Sequence, residues 1–171
     1  NAVGLQNPGL DCFLEQHLPW LRAQDTAVIA NIAGNTPEDY CAMAERLSDS
    51  DVAMIEMNIS CPHVKQGGVQ FGPSCENAAG ITAPVPRVCR KPLMVKLSPN
   101  VADIGEIAAA VEAAGADAIS LINTLTGMRI DIRTRRPIIR NNTGGLSGPA
   151  VFPGAVRMAW PDYGRVKSTD V

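Results

Sequence analysis

The 171-residue chain has no excess of charge of either sign: 15 lysines and arginines face 17 aspartates and glutamates, a formal net charge of −2. That balance argues against a basic nucleic-acid-binding surface. No stretch approaches the roughly 20 apolar residues that a membrane-spanning helix needs. The opening Asn1-Ala2-Val3-Gly4 has neither the basic region nor the apolar core of a secretory leader. It also lacks an initiating Met, which is read as a chain that has been cut or processed. The five cysteines, Cys12, Cys41, Cys61, Cys75 and Cys89, include no C-x-x-C pair, which argues against a zinc site or a redox dithiol. An odd, scattered set fits a reducing cytoplasm rather than a disulfide framework. Neither the P-loop pattern nor G-x-G-x-x-G occurs, and there is no internal repeat or low-complexity linker.

What is present is enough to build a core: 46% of residues are hydrophobic and 19% charged. The length suits one domain but falls short of the about 250 residues typical of a complete eight-fold β/α barrel. Short apolar runs predict strands at Thr26–Ile32, Val52–Asn58, Leu93–Leu97 and Asp117–Ile122. Helices are expected between them. Thr36-Pro37-Glu38-Asp39 reads as an N-cap, a first-turn proline and first-turn acids, opening a helix to about Leu47. Asn100 reads as the cap of a helix from Val101 to Ala114, with Gly115 as its stop. Leu10–Ala23 reads as helical, and Gly148-Pro149 opens a last helix toward Trp160 after a polar, Arg-rich loop. Pro84 and Pro86 interrupt the helix expected over Glu76–Arg90. Alternating strands and helices imply βαβ units and a parallel sheet.

In parallel α/β folds, ligands lie at the carboxyl ends of the strands. Asn31 falls after the first strand, and Asn58, Ser60, Cys61, Pro62 and His63 after the second. Lys96 falls on the third strand, Asn123 and Thr124 after the fourth, and Gly144–Gly148 before the last helix. Carboxamides, one thiol and one amine converge. The expected set contains no acid, which disfavours a divalent metal. A single Asn after a strand is more often an Asx turn, and a lone Cys more often a small core residue. Four polar strand ends and a Lys within an apolar strand shift the balance toward function.

Five segments, in order, carry a family resemblance: Asn1–Gly9, Asn58-Ile59-Ser60-Cys61-Pro62, Val95–Asn100, Ile122-Asn123-Thr124 and Gly144–Pro149. Together they resemble the dihydroorotate dehydrogenases, nearest in look to the catalytic subunits of the NAD-linked class-one branch. The resemblance covers Asn1 to about Trp160. It implies a β/α barrel holding FMN, oxidation of dihydroorotate to orotate in pyrimidine biosynthesis, and Cys61 as the base that takes the C5 proton. It places Asn1, Gly4, Leu5, Asn58, Asn123 and Thr124 against substrate, and Asn31, Asn58, Lys96, Ile122 and Gly148 against FMN. It also implies an FAD and iron–sulfur electron-transfer subunit as partner, and an oligomer in the complete enzyme.

His63 departs from the family, standing where a second substrate-contacting Asn is usual. Asn-x-Ser-Cys-Pro-His looks more like dihydropyrimidine dehydrogenase, which makes pyrimidine-ring reduction the alternative activity. The family also has a lysine-bearing strand ahead of Asn1 and two later strands whose glycine-rich loops hold the FMN phosphate. The expectation is therefore α/β: residues 1–160 as the central part of a (β/α)8 barrel truncated at both ends, inactive alone, and 161–171 as an irregular tail.

Overall fold

A parallel four-stranded sheet organises the chain. The computed structural model describes residues 4–60, 65, 66, 69, 70, 72–160 and 166. The sheet is formed by β1 (Ile29–Ile32), β2 (Met54–Asn58), β5 (Leu93–Lys96) and β6 (Ala118–Ser120), in the order β1-β2-β5-β6. Two short strands, β3 (Lys65–Gln66) and β4 (Val69–Gln70), pair antiparallel between β2 and β5 in sequence. The register sets Asn31 beside Glu56, Asn58 beside Lys96, and Lys96 beside Ser120.

Period-two alternation gives this sheet two unlike faces. Ala30, Ile32, Ile55, Met57, Leu93, Val95 and Ile119 point one way and are buried. Helix α3 (Pro37–Ser48) packs against β1 and β2 on that side, and α5 (Ile104–Ala113) against β6. They contribute Tyr40, Ala44 and Leu47, and Ile107, Ala108 and Val111, to a single core. Burying side chains of the size of Leu93 or Val95 is worth about 1.5–3 kcal/mol each. The opposite face carries Asn31, Glu56, Asn58, Lys96 and Ser120, which is where the chemistry lies.

The helices start where local chemistry tells them to. Thr36 caps α3 by accepting from the Asp39 backbone N–H at 3.1 Å, while Asp39 Oδ2 accepts from the Thr36 N–H at 3.0 Å. Ser74 caps α4 (Cys75–Thr82) by accepting from the Asn77 backbone N–H at 3.1 Å. That helix ends before Pro84 and gives way to a single 3₁₀ turn at Val85–Arg87, the interruption that the two prolines dictate. The expected helix over Leu10–Ala23 forms as α1 (Leu10–Cys12) and α2 (Leu18–Arg22), joined by a π-helical stretch at Phe13–His17. Among the described residues no helix is long and apolar enough to cross a membrane.

Two expectations are corrected. Asn100 does not cap α5. The cap is Asp103, whose Oδ1 accepts from the backbone N–H of Gly105 at 2.9 Å and of Glu106 at 3.3 Å. The Arg-rich segment is not a plain loop. It is an arm of two antiparallel ribbons, β7 (Leu125–Met128) with β10 (Thr143–Leu146), and β8 (Ile130–Asp131) with β9 (Arg136–Pro137). Beyond the arm, a 3₁₀ turn at Pro149–Val151 leads into α6 (Phe152–Ala159). Of residues 161–171 only Val166 is described, and it is buried with the core.

Candidate active site

At the carboxyl end of β2, Asn58 is only 5% exposed. Tyr40, fully buried on α3, donates from its hydroxyl to the Asn58 carbonyl oxygen at 2.8 Å and so anchors this strand end from behind. The Asn58 side chain turns the other way. Its Oδ1 accepts from the Ser60 hydroxyl at 2.7 Å and from the Ser60 N–H at 3.2 Å.

Ser60 then passes the connection on. Asn123 Nδ2 donates to the Ser60 hydroxyl at 2.8 Å and to its carbonyl oxygen at 3.3 Å. Asn123 Oδ1 accepts from the Thr124 N–H at 2.8 Å, which closes a local turn. Asn100, after β5, holds the same segment from the far side. Its Nδ2 donates to the Thr124 carbonyl at 3.0 Å, and its Oδ1 accepts from the Thr126 N–H at 2.9 Å. The segments following β2, β5 and β6 are thus stitched into one rim. With Oδ1 of Asn58 doubly occupied, its Nδ2 donates to no described residue. A donor of this kind suits a ligand bearing a carbonyl.

Lys96 stands beside Asn58 in register and is half-buried. Among the described residues no hydrogen bond or ion pair holds its ammonium. On the same face, Asn31 and Ser120 both donate to Glu56: Asn31 Nδ2 to Oε2, and the Ser120 hydroxyl to Oε1 at 2.6 Å. Glu56 corrects the expectation that the polar set contains no acid. The signal was in Met54-Ile55-Glu56-Met57-Asn58, where period two puts Glu56 on the face of Asn58. Ser60 was expected at this strand end without a role, and Asn100 was expected only as a helix cap. Both act through partners distant in sequence, which no local pattern reveals.

Asn31 also lines a cleft of about 350 Å³ with Leu5, Gln6, Asn7, Phe13 and Ile29, so the opening segment reaches the sheet face at β1. Gly4, next to Leu5, adopts φ +88°. Ile122 is half-buried just before Asn123. Gly148 is exposed with φ +109°, a conformation that favours glycine, and no described contact joins it to Lys96 or Asn58. Asn1, Cys61 and His63 lie outside the described residues.

Among the described residues, an ammonium without a partner, a buried amide and several carboxamides on the carboxyl side of a parallel sheet suit a planar ligand with carbonyl edges. The family model for dihydroorotate dehydrogenase matches residues 1–169. This chain belongs to the dihydroorotate dehydrogenase family.

Three relatives are named dihydroorotate dehydrogenase B (NAD(+)), catalytic subunit. That of Exiguobacterium sibiricum is 58% identical over 159 residues, covering 92% of this chain and 52% of that protein. That of Alkaliphilus oremlandii is 56% identical over 160 residues, covering 94% and 53%. That of Geobacillus kaustophilus is 56% identical over 161 residues, covering 94% and 51%. The chain spans about half the length of these dihydroorotate dehydrogenase relatives.

Proposed function

We propose that these residues belong to an FMN-dependent enzyme that oxidises dihydroorotate to orotate in pyrimidine biosynthesis, and that the four-stranded sheet is the central part of a (β/α)8 barrel. The observation that carries the reading is the rim: Asn58 and Asn123 joined through Ser60, with Lys96 beside Asn58 in register. FMN, when bound, supplies the two-electron acceptor for the hydride that leaves C6 of the substrate.

The chain's own residues do the rest. Cys61, three residues beyond Asn58, takes the proton from C5, so that a C5–C6 double bond forms as the hydride departs. An ordinary thiol, with pKa about 8.5, is mostly protonated at neutral pH, so the site must favour the thiolate at the moment of proton transfer. Asn58, Asn123 and Thr124, with Asn1, Gly4, Leu5 and His63, hold the pyrimidine ring. Amides suit it because each offers donors and an acceptor to the alternating ring edge. Asn31, Asn58, Ile122 and Gly148 hold FMN, and Lys96 offers positive charge to its reduced, anionic form.

The relatives' designation as a catalytic subunit supports a partner subunit for the complete enzyme. By the family resemblance this partner is an FAD and iron–sulfur protein that passes electrons on. The complete enzyme is cytoplasmic and oligomeric. The activity proposed is that of the whole protein, since the chain spans about half the length of its relatives.

The test is a single turnover. The FMN-loaded full-length protein is mixed anaerobically with dihydroorotate, and loss of the oxidised-flavin absorption band is followed. Bleaching in the parent and its near absence in Cys61→Ser are expected. Normal bleaching in Cys61→Ser would remove Cys61 as the base. Bleaching with dihydrouracil and not with dihydroorotate would reassign the substrate to the alternative that His63 raises.

A further inference from the structure

Among the described residues, Glu56 is the one acid on the polar face of the parallel sheet, and both of its carboxylate oxygens are engaged by strands other than its own. Oε2 takes the Asn31 amide from β1, an adjacent strand. Oε1 takes the Ser120 hydroxyl from β6, which is separated from β2 by β5. The carboxylate therefore bridges the full width of the four-stranded sheet. Lys96, on the intervening β5 and in register with Ser120, makes no ion pair with it. A carboxylate beside an uncommitted ammonium ordinarily draws it in. Each Glu56 oxygen holds one donor, and among the described residues Lys96 forms no ion pair.

The bond to Asn31 has a second consequence. A carboxylate only accepts, so Asn31 must present its nitrogen to Glu56. That fixes which way the amide faces and leaves Asn31 Oδ1 and one Nδ2 hydrogen for a ligand. We infer that Glu56 is a positioning residue for the FMN site: it orients Asn31 and sets a fixed negative charge on the sheet face that carries Asn31 and Lys96. The inference rests on the FMN reading above.

Two variants separate these roles. In Glu56→Gln the amide oxygen accepts from Asn31 and the amide nitrogen donates to the Ser120 oxygen, so the bridge survives while the charge is removed. In Glu56→Leu the bridge itself is lost. Both are compared with the parent full-length protein by FMN titration, by potentiometric titration of the bound flavin, and by thermal unfolding.

Glu56→Gln is expected to favour the anionic reduced flavin over the oxidised form by about tenfold, a rise of about 30 mV for a two-electron couple, with parent-like unfolding. Glu56→Leu is expected to weaken FMN binding at least tenfold. A parent-like potential in Glu56→Gln together with parent-like FMN affinity in Glu56→Leu would reduce Glu56 to a structural bridge and overturn the inference. Should the parent itself bind no FMN, the FMN reading fails first, and this inference with it.

Discussion

Asn123 and Ser60, 63 residues apart, meet at 2.8 Å between the Asn123 amide nitrogen and the Ser60 hydroxyl. The same hydroxyl donates to Asn58 Oδ1 at 2.7 Å, so one small side chain joins the ends of β2 and β6. Ser60 is buried, at 7% exposed. Ser60→Ala removes a donor from one amide and an acceptor from another inside the protein. The expected loss is about 1–3 kcal/mol, read as a lower urea midpoint with an unchanged slope. A midpoint unmoved by the substitution would mean that the rim does not depend on this link.

The rim is also tight on its arm side. A Cβ built on Gly145 of β10 would lie 2.6 Å from Thr124 Oγ1 and 2.9 Å from Thr124 Cβ. Gly145→Ala must therefore displace Thr124, at a cost of about 1–3 kcal/mol. It should also weaken orotate binding to the full-length enzyme about tenfold. Gly154 in α6 is the control, because a Cβ there meets nothing within 4 Å. Gly154→Ala should stabilise by about 0.5–1 kcal/mol through helix propensity and leave orotate binding alone. Equal effects at the two glycines would show that space at Thr124 is not limiting.

Much of this was legible from local pattern. The strand cores of β1, β2, β5 and β6 announce themselves as apolar runs, Thr36 and Asp39 as a capping pair, and Pro84 and Pro86 as a helix break. The polar strand ends Asn31, Asn58, Lys96 and Asn123 followed from where strands stop. What was not legible depends on tertiary partners. Asn100 and Asp103 are both cap-type residues within one turn, and only the fold decides that Asp103 meets the α5 amides while Asn100 reaches Thr124 and Thr126. In the arm, Met128, Ile130 and Ile132 alternate with Arg129, Asp131 and Arg133, a strand signal obscured by the glycines and arginines around it. Glu56 was visible in the period of β2, yet its importance comes from Asn31 and Ser120, 25 and 64 residues away.

Asp131, at the tip of the arm, gives a pH-dependent signature. The Arg133 backbone N–H donates to its Oδ1 at 2.8 Å. This bond chiefly, with help from Thr134, holds the carboxyl below its ordinary value, against a smaller opposing effect of desolvation. A lowered native pKa means that the turn is stabilised by the charged form. That contribution is fully present above the unfolded-chain value and is lost as pH falls through the native one. Carboxyl resonances followed by NMR should show Asp131 titrating below an ordinary aspartate, with the Arg133 amide shifting in step. In Asp131→Asn the acid-dependent shift of the Arg133 amide should vanish. Its persistence would assign the shift to another group.

Cys41 supplies a chemical contrast for the thiol proposed as base. It sits on α3, partly buried, between Glu38 and Glu45 in sequence. Burial first, and then the charges of Glu38 and Glu45, push its pKa above the ordinary thiol value. Thiolate is the reactive form, so Cys41 should alkylate slowly near neutral pH and accelerate only in alkaline solution. Peptide mapping after timed iodoacetamide treatment measures this directly. Replacing both acids in Glu38→Gln/Glu45→Gln removes the two charge contributions and should move the onset of labelling to lower pH, leaving the part due to burial. An onset that does not move would mean that burial alone sets Cys41. Rapid labelling of Cys41 in the parent at neutral pH would contradict the raised value itself. A base at Cys61 requires the opposite behaviour, early labelling that bound orotate suppresses, so one peptide map compares the two thiols under identical conditions.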